Sequence, residues 1–509
     1  MEGFLSNFGP AADLVFSPLT LFALFGGVIL GIILGALPGF GSSQSLALLF
    51  PITFVLSAPD AILFCVAVYS AAEYGGSIPA ILIRTPGTPA GAVTVLDGYE
   101  MTKQGKPLKA LKVSLFSGVI GGLTSTVIFI ISGVALANIA LKFGPGEMFA
   151  LGVFGISIIG SFFGKDPAKG FLATGIGLFL ATVGSSRFGG MRFTWELGPL
   201  MDGLPLVVIV IGLLAGPEAF RLLLDHRKTI EKGVVADLTA EREKNRITKE
   251  EVKLLIPTWI RNSLIGTAIG AIPGAGASVG SLIAYNEEKR WCKRSELMGT
   301  GIVEGIAAPE TANNAVVAGT LVPSLALGIP GSGTAAILIG VLVTKGIVPG
   351  PMLFKDPETA PLVLAIFMGL VICNFMLLAV GLGGMRIWGP IAKVPRRILG
   401  PFVMIMILIG TFAYSNYWAH VVMVLVMAVM AYYFEKIDIP TVPIVLAFVM
   451  GPIVEGNLNK ALTIHAGDLM AVITRPIALF IFAMSFITIV YAVWTSYKTP
   501  KVETGTLKE

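Results

Sequence analysis

Charge is scarce in this sequence. Asp, Glu, Lys and Arg together make up 13% of its 509 residues, about half the share of a soluble domain. With 55% hydrophobic residues and a mean hydropathy of +0.84, that shortage excludes a water-soluble globular protein and points to a polytopic membrane protein. Cysteine is equally sparse. Cys65, Cys292 and Cys373 stand alone in unrelated segments, which excludes a disulfide framework and any metal-ligand spacing; buried, inert thiols are expected. Catalytic patterns are missing too: no HExxH, no phosphate loop ending in Gly-Lys-Ser/Thr, and no Asp/Glu pair spaced for hydrolysis. An intramembrane serine protease would need Ser42 or Ser43 beside a buried His. His226 falls in a charged connector, and His420 and His465 at loops or interfaces, so no enzyme is expected and no cofactor is implied. The formal net charge of +5 is scattered over short loops and forms no nucleic-acid-binding patch. The start, MEGFLSNFGP, lacks a basic n-region and a cleavage site, so insertion is expected to be driven by the first apolar segments.

Glycine and proline, by contrast, are plentiful, with 61 and 31 residues. They interrupt long apolar stretches, which run over 18–37, 40–57, 61–72, 76–96, 113–140, 146–163, 170–184 and 203–223. After the charged run 221–253 come 254–272, 275–285, 297–309, 312–344, 359–384, 398–415, 417–434, 441–456 and 476–497. The expected organisation is a first membrane repeat (1–220), a cytoplasmic connector (221–253), a second membrane repeat (254–497) and a tail (498–509). A spanning helix needs about 20 apolar residues. The pieces beside the Gly/Pro clusters are shorter, so re-entrant hairpins are expected there.

Two such clusters recur. Gly35–Ser43 reads GALPGFGSS and Gly270–Ser278 reads GAIPGAGAS, 235 positions apart; Pro79–Ala92 (PAILIRTPGTPAGA) aligns without a gap on Pro323–Ala336 (PSLALGIPGSGTAA), 244 positions apart. Order and spacing argue for an internal duplication. Lys and Arg bias sets orientation. In the first half no basic residue follows the first break in 51–60, while Lys103, Lys106, Lys109 and Lys112 follow the second. In the second half Lys289, Arg290, Lys293 and Arg294 follow the first break, and only Lys345 and Lys355 the second. The fold expected is therefore an all-α polytopic membrane protein of two inverted structural repeats, each with helices broken at Gly/Pro motifs. The connector and the loop with Lys393, Arg396 and Arg397 go to the cytoplasm and the N-terminus outside, with Arg187 and Arg192 as mild exceptions. Trp388, Trp418 and Trp494 read as interfacial residues.

Broken backbone at membrane depth is tolerated only where it is buried in protein or lines a cavity. A break repeated in both halves is the best pointer to a transport site. Helix starts carry partial positive charge and free N–H groups, so an anion could bind there without Lys or Arg. The substrate-site candidates are Gly39, Gly41, Ser42 and Ser43 of the first cluster, with Gln44 adjacent. Its repeat contributes Gly274, Gly276 and Ser278. The second pair of breaks adds Arg84, Thr85, Gly87 and Thr88, matched by Gly331, Ser332 and Thr334. Arg84 is either a fork for a carboxylate or a snorkelling side chain. Glu73 would pair with Arg84 or hold a coupling ion; Glu304 is a further intramembrane acid. Glu310, Thr311, Asn313 and Asn314 form an oxygen-rich cluster beside Pro309 suited to Na+, or merely the cap of a helix starting at Thr311. A transporter is the first reading; an anion-selective channel or uniporter for organic acids, and then an intramembrane enzyme, are the alternatives.

The stretches at 35–54, 74–105, 270–290 and 308–351, with APETANN and GIPGS as the specific runs, resemble the large membrane subunit of the tripartite tricarboxylate transporters, the TctA-like family. The resemblance implies a multi-pass protein of the bacterial inner membrane. It implies import of tricarboxylates, dicarboxylates or related organic acids by symport with Na+ or H+. It also implies two partners, a small four-helix membrane subunit and a periplasmic substrate-binding protein. Arg84 departs from the family pattern, where a small or amide residue such as Asn is expected.

Overall fold

Small residues at four-residue spacing let the first long helix lie directly on a neighbour's backbone. The computed structural model describes residues 7–162, 166–186, 189–224, 245–391, 394 and 396–498. In the first half the order is α1 (Pro18–Gly35), α2 (Ser42–Leu49), α3 (Ala58–Gly75), α4 (Ser77–Ile83), α5 (Gly91–Lys103) and α6 (Pro107–Ala140). In the second it is α7 (Lys249–Gly270), α8 (Gly276–Trp291), α9 (Val303–Leu327), α10 (Gly333–Thr344) and α11 (Ala360–Ile391). Local chemistry starts them cleanly. Ser17 accepts the Thr20 N–H at 3.2 Å ahead of Pro18, and Thr248 with Glu251 forms a capping box at α7.

α1 packs along α3. A Cβ on Gly27 would lie 2.8 Å from the carbonyl oxygen of Phe64, and one on Gly31 2.7 Å from that of Val68. Only glycine permits that approach. The second half repeats the contact: a Cβ on Gly266 would lie 2.5 Å from the carbonyl oxygen of Ala312, and one on Gly270 2.7 Å from that of Val316. With the sequence offsets of 235 and 244, Gly31 and Val68 correspond to Gly266 and Ala312. The backbone at the breaks matches as well. Gly39 and Gly274 take φ of +83° and +81°. Arg84 and Gly328, which align, both end a helix in the left-handed region, at φ 58° and 73°. Each half also ties its two breaks together: Gly39 N–H donates to Pro86 O at 3.2 Å, and Gly274 N–H to Gly331 O at 3.0 Å.

Nine helices among the described residues are long and apolar enough to cross a membrane, and the fold is all-α, with one two-stranded antiparallel ribbon among the described residues, Gly184–Ser185 with Met191–Arg192. The helices α2, α5, α8 and α10 have eight to sixteen residues. At about 1.5 Å per residue they are too short for a hydrocarbon core about 30 Å thick. At the centre runs α9, buried from Val303 to Ala326 and packed on α6, α7 and α8. Outer helices such as Trp418–Lys436 and Pro476–Lys498 keep large apolar side chains exposed, Val422, Phe480 and Phe486 among them, as lipid-facing helices do.

Several expectations need correction. The sequence reading breaks the chain at Pro309, between 297–309 and 312–344. Instead α9 runs straight through Pro309 and ends at Leu327, so the break falls at 328–332, inside the Pro323–Ala336 motif where one was expected. Packing on every side sustains the helix. Thr311 is therefore in mid-helix and caps nothing. Trp388 is buried, not interfacial, whereas Trp418 and Trp494 are exposed. Cys65 and Cys373 are buried but Cys292 is only partly so, 3.6 Å from a Glu304 carboxylate oxygen; partial burial and that carboxylate push its thiol pKa up. Glu304 itself is consumed by an ion pair with Arg294. Arg192 forms a two-pronged pair with Glu455 at 3.0 and 3.1 Å, which neutralises one exception to the Lys/Arg bias. Most of the connector including His226, the tail beyond residue 498, and Arg187 and Lys393 lie outside the described residues, as do the side chains of Arg396 and Arg397.

Candidate functional site

The four Gly/Pro breaks end in helix starts, and all four starts open onto one cavity of about 280 Å³. α2 begins there at Gly41 with Ser42, Ser43 and Gln44. α5 contributes Thr88, Pro89 and Ala90 from just before its first turn. α8 contributes Gly274 to Val279, and α10 begins with Ser332, Gly333 and Thr334. Tyr69 and Glu73 of α3 and Val442 complete the wall. A hydroxyl caps one of these starts, Ser332 Oγ accepting the Ala335 N–H at 3.1 Å, and Thr88 Oγ1 accepts the Gly91 N–H at 3.2 Å from the turn before α5. α2 and α8 have no side-chain cap. Their first-turn amides are donors that a ligand can satisfy. Each start adds a partial positive charge, so the cavity is set up for anions without a cationic side chain. Among the described residues lining it there is no Lys or Arg, and Glu73 is the one carboxylate.

Hydroxyl contacts stitch the two halves together across this cavity. Ser42 Oγ donates to Glu73 Oε1 at 2.6 Å and lies 3.0 Å from Thr334 Oγ1. Ser43 Oγ lies 2.9 Å from Thr334 Oγ1, and Tyr69 OH 3.0 Å from Ser332 Oγ. Residues from α2 and α3 thus meet residues of α10, some 290 positions away in the chain for the Ser42–Thr334 contact.

The sequence-predicted residues divide by position. Gly41, Ser42, Ser43 and Thr88 line the cavity from the first half, and Gly274, Gly276, Ser278, Ser332 and Thr334 from the second. Gly39, Gly87 and Gly331 stand behind the wall and shape it. A Cβ on Gly331 would lie 2.7 Å from the Gly270 carbonyl oxygen, and one on Gly87 would run into the backbone of Gly35 and Gly76. Arg84 and Thr85 lie outside the lining. Arg84 is exposed at the end of α4, and the acid expected beside it, Glu73, is bonded to Ser42 instead. Its place is a helix C-cap, where the left-handed backbone aims the side chain outward. Because φ 58° costs a non-glycine residue about 1 kcal/mol, Arg84→Gly is expected to stabilise the protein by about that amount, and Arg84→Asn to leave substrate affinity unchanged. Thermal unfolding in detergent and ligand titration check the two halves of this prediction.

The expected cation cluster does not line the cavity. It forms a second polar layer behind α3. Glu310 accepts hydrogen bonds from Thr94 and, at 3.0 Å, from Ser114. Asn313 donates to the Glu73 carbonyl at 3.2 Å and Asn314 to the Ser70 carbonyl at 3.4 Å. Thr311 turns back to Ala307 O of its own helix. The Oδ1 atoms of Asn313 and Asn314 are buried without a hydrogen-bond partner. Tyr69 escaped the sequence reading altogether. Its signal was its place four residues before Glu73 on one apolar helix, which puts both on the same face. Val442 carried no signal at all.

Comparison with known proteins completes the picture. An uncharacterized 52.8 kDa protein in the TAR-I ttuC' 3' region of Agrobacterium vitis is 32% identical over 507 residues, covering 98% of each chain. A second protein of that organism, an uncharacterized protein in the TAR-II ttuC' 3' region, is 30% identical over 240 residues, 46% of this chain and 97% of its own length. No solved structure matches the chain. The family model described as the tripartite tricarboxylate transporter TctA family matches residues 21–446, a span that holds all four breaks and the whole cavity wall, and the chain belongs to that family.

Proposed function

We propose that the chain is the membrane-embedded transport subunit of a binding-protein-dependent secondary transporter of the bacterial inner membrane. It imports organic acids bearing two or three carboxylates together with a cation, and its substrate sits in the cavity between the four helix starts. The observation that carries this reading is the convergence of those starts on a space with hydroxyls and amides but no Lys or Arg among its described lining residues. Family membership supports a transporter rather than an enzyme. A volume of about 280 Å³ stands at the small end of ligand pockets, which suits a compact acid. In this reading the uncapped amides of α2 and α8, with Ser43, Ser278 and Thr334, receive the carboxylates. The two halves act as inverted repeats, and motion of one against the other exposes the cavity to each side in turn.

Glu73 supplies the coupling in the same reading. It is 3% exposed, and a buried carboxylate without a cation is costly. An anionic substrate entering the same cavity adds to the repulsion. Na+ or H+ must therefore enter with it. The orphaned amide oxygens of Asn313 and Asn314, together with Glu310, lie directly behind Glu73 as a second stop for that cation. The small four-helix subunit and a periplasmic binding protein are the proposed partners.

Vesicles holding this chain, the small subunit and the binding protein test the proposal with labelled di- and tricarboxylates. Saturable accumulation that stops when both Na+ and H+ gradients are collapsed is the expected result. Uptake indifferent to those gradients would sink the coupling. Single-channel currents without saturation would mean a channel, and product formation in detergent with no gradient an enzyme.

A further inference from the structure

Away from the cavity, at one end of α6, two adjoining recesses of about 490 and 510 Å³ share Lys112, Arg246 and Leu382. One is basic and adds Arg386 of α11. The other is apolar and adds Phe116, Val252 and Trp259. No Asp or Glu lines either among the described residues. The nearest acid on α7, Glu251, is committed to Lys109 at 2.5 Å and to the capping box with Thr248. Trp259 donates its Nε1–H to Ser117 at 2.9 Å, which fixes its ring as a wall. Lys112 gives one hydrogen bond to the Asn245 carbonyl at 3.0 Å and has two further donors. Arg246 and Arg386 are exposed.

We propose that these recesses form one binding site for an anionic phospholipid. Its phosphate sits among Lys112, Arg246 and Arg386, and an acyl chain lies along Phe116, Val252, Trp259 and Leu382. Three positive charges beside a groove with no acid among its described lining residues complement a phosphodiester. The contiguous apolar recess complements a lipid tail, which a soluble phosphate does not have. The helices α6 and α11 that flank it are long and apolar enough to cross a bilayer, so their ends lie at headgroup depth. Basic pockets between membrane helices recognise headgroups in this way. The site is separate from the transport cavity and does not depend on the substrate reading.

The test uses the full chain reconstituted in phosphatidylcholine alone or in phosphatidylcholine with phosphatidylglycerol, and reads retained lipid by native mass spectrometry and stability by thermal unfolding. Wild type is expected to retain phosphatidylglycerol preferentially and to melt higher in its presence. The variant K112Q/R246Q/R386Q is expected to lose retention by about 100-fold, about fivefold for each charge, while melting as wild type does in phosphatidylcholine alone. If the triple variant does not fold, Arg386→Gln, at an exposed position, is expected to lower retention about fivefold. Equal retention of both lipids by wild type, unchanged retention in whichever variant folds, or an equal rise in melting temperature with inorganic phosphate alone would each overturn the proposal.

Discussion

Glu73→Gln is expected to abolish ion-driven accumulation of substrate while the protein still folds and still binds. Gln is close in shape and keeps an oxygen to accept the 2.6 Å hydrogen bond from Ser42, so the cavity wall survives. What it removes is the charge. Two like charges about 5 Å apart at an effective dielectric constant of about 20 repel by roughly 3 kcal/mol, which is about 100-fold in affinity. In wild type that repulsion makes substrate affinity depend on a cation at Glu73 by about that factor. In the Gln variant the dependence disappears, and affinity becomes the same with and without Na+ or at either pH. Uptake in vesicles should then equilibrate without concentrating. Isothermal titration at several Na+ concentrations and pH values, beside labelled uptake, separates the two effects. A Gln variant that concentrates substrate as wild type does would remove Glu73 from the coupling mechanism and leave Glu310 with Asn313 and Asn314 as the place to look.

Asp97→Ala is expected to destabilise the protein by about 3–5 kcal/mol. Asp97 is fully buried on α5, yet no Lys or Arg pairs with it among its recorded partners. Its carboxylate is held by the N–H groups of Gly299 at 2.9 Å, Gly301 at 2.9 Å and Ile302 at 3.0 Å, and by Tyr285 OH at 2.9 Å. A ring of amides does here what a cation does elsewhere. It binds the loop between α8 and α9 to α5, and so one half of the molecule to the other. Truncation leaves the buried Ile302 N–H and Tyr285 hydroxyl without this acceptor, each costing about 1–3 kcal/mol where water cannot reach, while Gly299 and Gly301 are partly open to water. Asn keeps one acceptor oxygen and should cost about half as much. Thermal unfolding in detergent measures the loss, and limited proteolysis after Arg294 reports whether the loop is released. A melting point and cleavage rate equal to wild type in the Ala variant would show that the loop is held by other contacts.

How far the residues alone lead depends on the kind of interaction. The break sites were readable because proline and glycine act through their own backbone limits, whatever surrounds them. Gly39 and Gly274 adopt the left-handed turn that only glycine takes readily, and the duplicated motifs matched in order at nearly the same spacing. Pro309 shows where that logic stops. A proline inside a helix removes one backbone hydrogen bond, and here the packing that buries α9 from Val303 to Ala326 keeps the helix whole. Arg84 misled for a related reason. A charged residue in an apolar run reads as a ligand, but its repeat partner Gly328 marks the position as a left-handed helix end with the side chain outside. Tyr69 and Asp97 were hidden because their partners lie far along the chain, at Ser332 and at Gly299 to Ile302.

Hydropathy, glycine and proline act locally and need no partner, so an all-α membrane protein with four broken helices in two matching pairs is legible from the residues alone. Packing of distant segments sets the rest: the four helix starts open onto one cavity, Glu73 and not Arg84 is the charged side chain among its described lining residues, and the Asn313 and Asn314 cluster stands behind it. Those are relations between segments up to some 290 residues apart. The close approach of α1 to α3 and of α7 to α9 over bare glycine backbone fixes them.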